Sequence, residues 1–142
     1  MKDKYIIIVG CGRLGAHVAK MFTRSRNSLV MIDKDATAFS RLSEEYSGFT
    51  IEADAVEQDT LLRAKIDQAD VLVATTDDDN TNIMIAQVAR EIHHVPEVML
   101  RIYDPSRAKI YEGTGITTIC TTLLAAEAFS QALGSQEGVT AP

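Results

Sequence analysis

Tyr5-Ile6-Ile7-Ile8-Val9-Gly10-Cys11-Gly12-Arg13-Leu14-Gly15 decides how the rest of the chain is read. Its first five residues are apolar without alternation, the pattern of a strand buried on both faces. After the glycine run, Leu14, Val18, Met21 and Phe22 fall at i, i+4, i+7 and i+8, which predicts an amphipathic helix with Arg13, His17, Lys20 and Arg24 as a basic stripe on its other side. A GxGxxG run between a strand and a helix is a phosphate-binding turn. Gly10 permits the turn, Gly12 lets phosphate approach the backbone, and Gly15 lets the helix pack closely on the strand. The helix N-terminus supplies free N–H groups and a positive dipole end.

Working outward, five more strand-length runs follow: Ser28–Ile32, Phe49–Ile51, Val71–Ala74, Val98–Ile102 and Ile116–Ile119. Helical segments are expected near residues 35–46, 57–65, 77–93, 104–112 and 121–133. Strict βα alternation with right-handed crossovers predicts an α/β, Rossmann-like doubly wound sheet. Its six parallel strands take the order 3-2-1-4-5-6, with helices on both faces and a ligand cleft between strands 1 and 4. Residues 4–134 form the expected domain, and 135–142 a flexible tail or the start of a missing C-terminal segment.

Composition is consistent with one domain: 142 residues, 46% hydrophobic and 24% charged. Disorder, collagen and an integral membrane protein are excluded, because no apolar run approaches the roughly 18 residues a spanning helix needs. The N-terminus has no small-residue cleavage site after its apolar run, so the expected compartment is the cytoplasm. Cys11 and Cys120 have no CxxC spacing and read as buried free thiols. Net charge is −6, yet residues 1–27 hold six basic residues against one acidic, leaving eight against nineteen in the remainder. That balance opposes nucleic acid as a partner and leaves a small anion near the basic end.

The candidate ligand residues follow the cleft. Asp33 ends strand 2, 21 residues after Gly12, where a carboxylate accepts from ribose hydroxyls and would repel a 2′-phosphate; a turn or helix-cap role is the alternative. Lys34 and Arg41 stand close enough in sequence to approach a phosphate. Arg13 is placed to pair with phosphate oxygens, or else to stay in the solvated stripe. Asp54 and Ala55 after strand 3 read either as an adenine-side wall or as a turn. Thr75 and Thr76 end strand 4 at the cleft, and Thr76 or Asp77 reads as the cap of the next helix. His93-His94 reads as a helix end rather than a metal site. No nucleophile or acid–base pair has a recognisable signature.

These segments, with Ala53-Asp54-Ala55, the Thr76-Asp77-Asp78-Asp79-Asn80-Thr81-Asn82 stretch and Arg101-Ile102-Tyr103-Asp104-Pro105, resemble the RCK/KTN nucleotide-binding domain of Trk and Ktr potassium-uptake regulators over about residues 4–134. The resemblance implies a non-enzymatic cytosolic subunit, peripheral to the inner membrane face. NAD(H), ATP, ADP or AMP would bind it and bias a potassium-transporting membrane subunit, with dimers assembling into rings. It also implies phosphates held by Gly10, Gly12, Arg13 and Gly15, in a loop that includes Cys11 and Leu14, and a ribose held by Asp33, with Lys34 also in the cofactor site. Asp54 and Ala55 would lie at the adenine, and Thr75, Thr76 and Arg101 along the cleft. Two departures stand out. Where many members carry Pro-Glu after strand 6, with the Glu serving a divalent ion, this chain has Cys120-Thr121, which argues against a metal held that way. No counterpart of the family's small C-terminal ligand domain follows. The competing reading is the cofactor domain of an NAD-dependent oxidoreductase whose catalytic domain is absent.

Overall fold

The computed structural model describes residues 3–137, the last three by backbone alone. Six strands, β1 (Tyr5–Val9), β2 (Ser28–Asp33), β3 (Phe49–Glu52), β4 (Val71–Ala74), β5 (Glu97–Ile102) and β6 (Ile116–Cys120), form one sheet in the order β3-β2-β1-β4-β5-β6. Every pair is parallel, with Ile8 opposite Met31 on one side and Val73 on the other. The sheet is the expected doubly wound one. The three central strands are buried on both faces, because a parallel sheet is wrapped by its own crossovers.

Two cores result. One face gathers Ile7, Val30, Leu72, Val98 and Leu100 under the crossover helices α2 (Gln58–Arg63) and α3 (Asp79–Gln87). The other gathers Ile6, Ile8, Leu29, Met31 and Val73 under α1 (Arg13–Thr23).

Within α1 the buried positions are Gly15, Ala16 and Ala19, with Val18 and Phe22 only partly buried, while Met21 is exposed. The apolar stripe expected at Leu14, Val18, Met21 and Phe22 is therefore rotated. Small side chains let the helix axis come close to the sheet, and the larger ones are displaced to the flanks.

The segment expected as a helix at 35–46 is only a short 3₁₀ turn, Ala36–Arg41. Asp35 accepts from the Thr37 N–H, and the Ala38 N–H reaches the Asp35 carbonyl, so the bonding closes over three residues and does not extend into an α-helix. The expected 77–93 helix is α3 followed by a π-turn at Val88–Ile92, and the 104–112 segment is α4 (Pro105–Ala108) with a 3₁₀ turn at Lys109–Tyr111.

The last helix, α5 (Thr121–Glu137), begins directly after β6 and runs past the expected end at 133, taking in the first three residues of the expected tail. The remainder of that tail, 138–142, lies outside the described residues. Both cysteines are buried and free. Among the described residues no helix is long and apolar enough to cross a membrane.

Candidate functional site

The glycine loop leaves β1 at the point where strand order reverses, between β2 and β4, and the C-terminal ends of these strands open into a cavity of about 380 Å³. Gly10, Cys11, Gly12, Asp33, Lys34, Asp54, Ala55, Thr75, Thr76 and Arg101 all line it. Arg13, Leu14 and Gly15 do not; Arg13 faces a neighbouring groove on the outer side of α1.

The three glycines of the loop are there for different reasons. Gly10 has φ of +101°, and a Cβ there would meet the Thr75 carbonyl carbon and oxygen and the Thr76 nitrogen at 2.8 Å. A Cβ on Gly15 would overlap the Gly10 carbonyl oxygen and press on the Thr75 hydroxyl. Gly12 is unlike either: its backbone is ordinary (φ −80°), and a Cβ there would meet nothing within 4 Å. Protein packing explains Gly10 and Gly15. It leaves Gly12 unexplained, and Gly12 is the N-cap of α1, with no side-chain cap on the first turn of N–H groups.

Asp33 does not cap the next helix, but it does make the i to i+2 side-chain bond of an Asx-turn. Its Oδ2 accepts from the Cys11 N–H at 2.7 Å and its Oδ1 from the Asp35 N–H at 2.9 Å, so the carboxylate clasps the glycine loop to the end of β2. The residue that caps the following turn is Asp35. A carboxylate oxygen has more than one lone-pair direction, so these bonds leave acceptor capacity beside the cavity. Asp54 fills both readings left open for it: Oδ1 accepts from the Val56 N–H at 3.1 Å, and the residue lines the cavity. Arg41 also lines it, with Nη1 donating to the Cys11 carbonyl at 3.3 Å.

On the opposite wall Thr75 is buried, its hydroxyl within 3.1 Å of both the Val9 and Gly10 carbonyls. The cap of α3 is Asp78, which accepts from the Thr81 N–H, rather than Thr76 or Asp77. Thr76 instead donates its hydroxyl to Asn82 Oδ1 at 2.6 Å.

Asn82 is completely buried, and its bonds account for why. Its Oδ1 also accepts the Thr76 N–H, while its Nδ2 donates to the Thr76 carbonyl and, at 3.0 Å, to the Arg101 carbonyl. Arg101 Nη2 in turn donates to the carbonyls of Thr75 and Thr76, its guanidinium stacks 4.5 Å from the Tyr103 ring centroid, and its Nε is buried without a partner. Nothing in the sequence pattern gave Asn82 a part in the site; the signal available was an Asn eight residues after the end of β4, on the buried face of α3.

Two exposed carboxylates of the site, Asp78 and Asp35, are held ionised by hydrogen bonds. Asp78 sits below its ordinary value of 3.8, chiefly through the Thr81 hydroxyl and then the Thr81 N–H. Asp35 is lowered by the same two kinds of bond from Thr37. Burial pushes the Cys11 thiol up, with Asp33 adding to the shift, so that thiol is no nucleophile. His93 and His94 precede β5, at the N-terminal ends of the strands, whereas this cavity lies at their C-terminal ends. The described residues contain no group of three or more His, Cys, Asp or Glu able to hold a metal.

Comparison with known proteins adds to this geometry. The Trk system potassium uptake protein TrkA of Streptomyces coelicolor is 40% identical over 117 residues, which make up 82% of this chain and 52% of that protein. The chain thus spans about half the length of that relative. Among solved structures, the GsuK RCK domain is 25% identical with a TM-score of 0.81, covering 96% of this chain and 29% of that one. The GsuK channel bound to NAD shares the fold at 24% identity and a TM-score of 0.81, covering 96% of this chain and 24% of that one. The TrkA-N domain matches from Ile6 in β1 to Thr122 at the start of α5, a stretch that includes every residue lining the cavity, and the chain belongs to that family.

Proposed function

We propose that the cavity binds an adenine nucleotide, NAD(H) or ATP, ADP or AMP, and that the domain regulates a potassium-uptake system through that binding. The observation that carries the reading is Gly12: a residue whose Cβ would meet only open space, at the N-terminus of α1, inside the cavity. Phosphate lying there would be met by unpaired N–H groups and the helix dipole. Asp33 would accept from the ribose, Asp54 and Ala55 would flank the adenine, and Thr75, Thr76 and Arg101 would border the far end. A similar fold is known with NAD bound, in the GsuK channel.

The role is binding and release rather than chemistry. It is supported by the likeness to a Trk potassium-uptake protein. In this reading the partner is a membrane transport subunit and the domain works at its cytoplasmic side. A nucleotide shifts the transporter only as far as it prefers one arrangement of the assembly over the other.

The domain is proposed to work as a dimer through α5. Residues 122–133 of that helix are all exposed, Phe129 to 78% and Leu124 to 57%, and none of the described residues covers them.

Mass spectrometry of ligand released on denaturing the purified protein, followed by calorimetry with NAD, NADH, ATP, ADP and AMP, tests the nucleotide reading. An adenine nucleotide carried through purification, or one that binds with micromolar affinity, is the expected result. Failure of all five to bind at millimolar concentration would overturn it.

A further inference from the structure

Arg13, His17 and Lys20 share one face of α1 at i, i+4 and i+7. With Arg41 and Ser43 from the segment after β2, they line an open groove of about 410 Å³ that also includes Ala16. No carboxylate contributes to its wall. The side-chain ion pairs among the described residues are Lys4 with Glu97 and Arg24 with Glu45. Arg13, Lys20 and Arg41 therefore have no acidic partner there, in a chain whose net charge is −6. Like charges gathered without counter-charges raise the local potential and attract anions.

Two of the polar groups are already oriented. Arg41 is anchored by Nη1 to the Cys11 carbonyl, which leaves the rest of its guanidinium fork available. The Ser43 oxygen accepts from the Glu45 N–H at 3.2 Å, and its own proton has no acceptor among the described residues.

Spacing selects the ligand. From Arg13 to Lys20 the helix rises about 10 Å, too far for the oxygens of one phosphate to bridge. One turn beyond Lys20 the run of unpaired cations ends, because Arg24 meets Glu45 at 3.9 Å. We propose that this groove binds a linear polyphosphate, several phosphate groups in a row, along the outer face of α1. The guanidinium forks of Arg13 and Arg41 pair with phosphate oxygens in-plane, and Lys20 supplies a point charge further along. Only Arg41 lines both the groove and the nucleotide cavity, so the two adjoin at its guanidinium. The same chemistry comes from two sources, free inorganic polyphosphate or the phosphate tail of a nucleoside polyphosphate held in the cavity.

Calorimetry on the full chain with sodium tripolyphosphate, and separately with ATP and AMP, tests this. For a free polyphosphate, tripolyphosphate binds at least tenfold more tightly than orthophosphate. Lys20→Gln and Arg13→Gln then each weaken it about fivefold to tenfold, and Gly12→Val leaves it unchanged. For a nucleotide tail, Lys20→Gln weakens ATP but not AMP, and Gly12→Val abolishes both. Arg63→Gln, on α2 away from the groove, is the control for general charge effects. The proposal fails if tripolyphosphate binds no better than orthophosphate while ATP is insensitive to Lys20→Gln. It also fails if Arg63→Gln weakens binding as much as Lys20→Gln, or if tripolyphosphate binding is lost in Gly12→Val.

Discussion

Gly12 and Asp33 bear opposite relations to the packing around them, and their variants separate binding from folding. Because a Cβ at Gly12 would meet no atom within 4 Å beyond its chain neighbours, Gly12→Val should fold with its stability changed by about 1 kcal/mol or less. The new methyl groups would fill the space proposed for phosphate, so calorimetry should show adenine nucleotide affinity lost. Unchanged affinity for every nucleotide would place the site elsewhere. Asp33 already holds two backbone N–H groups, so removing its side chain would loosen the loop as well as the ligand. Asp33→Asn keeps the shape and removes the charge, giving up one of the two N–H bonds because an amide has a single acceptor oxygen. The unmodified protein is expected to bind NAD(H) at least tenfold more tightly than NADP(H), since two like charges about 4 Å apart repel by about 4 kcal/mol at an effective dielectric constant of 20. That ratio should fall in Asp33→Asn. Equal binding of both cofactors by the unmodified chain would show that Lys34 or Arg41 accepts the extra phosphate.

At the scale of elements, the ends of β4 and β5 are joined beyond their ladder by one side chain from α3. Asn82 uses both its acceptor and its donors on Thr76 and Arg101, and Asp79 in the first turn of the same helix accepts the N–H groups of Tyr103 and Asp104. Arg107 on α4 donates to Asn80 at 2.7 Å. The cavity wall and the loop after β5 are therefore tied to the same helix. Asn82→Ala would leave the Thr76 N–H and the Arg101 carbonyl without partners in a dry environment, at about 1–3 kcal/mol for each such group. A loss of about 2–4 kcal/mol in urea denaturation is expected, with nucleotide affinity reduced in parallel as the Thr76 and Arg101 wall slackens. A stability change below about 0.5 kcal/mol would show that the network contributes little.

For the molecule as a whole, α5 is the element without a home. Leu123, Leu124, Phe129 and Leu133 are each about half exposed or more, and the helix has no polar face wide enough to satisfy water on all sides. A second copy of the chain is the proposed cover. Light scattering at micromolar concentration is expected to give a dimer. Phe129→Glu is expected to give a monomer that still binds nucleotide, because an unpaired charge in a desolvated interface costs several kcal/mol. A monomeric unmodified chain would remove the basis for this arrangement.

The strands, their parallel order and the position of the cleft were legible in the sequence, because buried parallel strands must be apolar without alternation and a GxGxxG turn has few backbone solutions. So were Gly10, Gly12, Asp33, Thr75 and Thr76 as residues of one cavity. Other features depended on distances between segments far apart in the chain. The face of α1 that packs was set by how closely Gly15, Ala16 and Ala19 let it approach the sheet, which overrode the stripe of larger side chains. The length of the helix after β2 was decided by Asp35 and its local bonds. Asn82 became a structural tie only when β4 and β5 were brought side by side, since one of its four partner atoms lies nineteen residues away at Arg101. A periodic pattern reports which side chains prefer to leave water. Which polar groups meet in the dry interior is settled by the packing of the whole sheet.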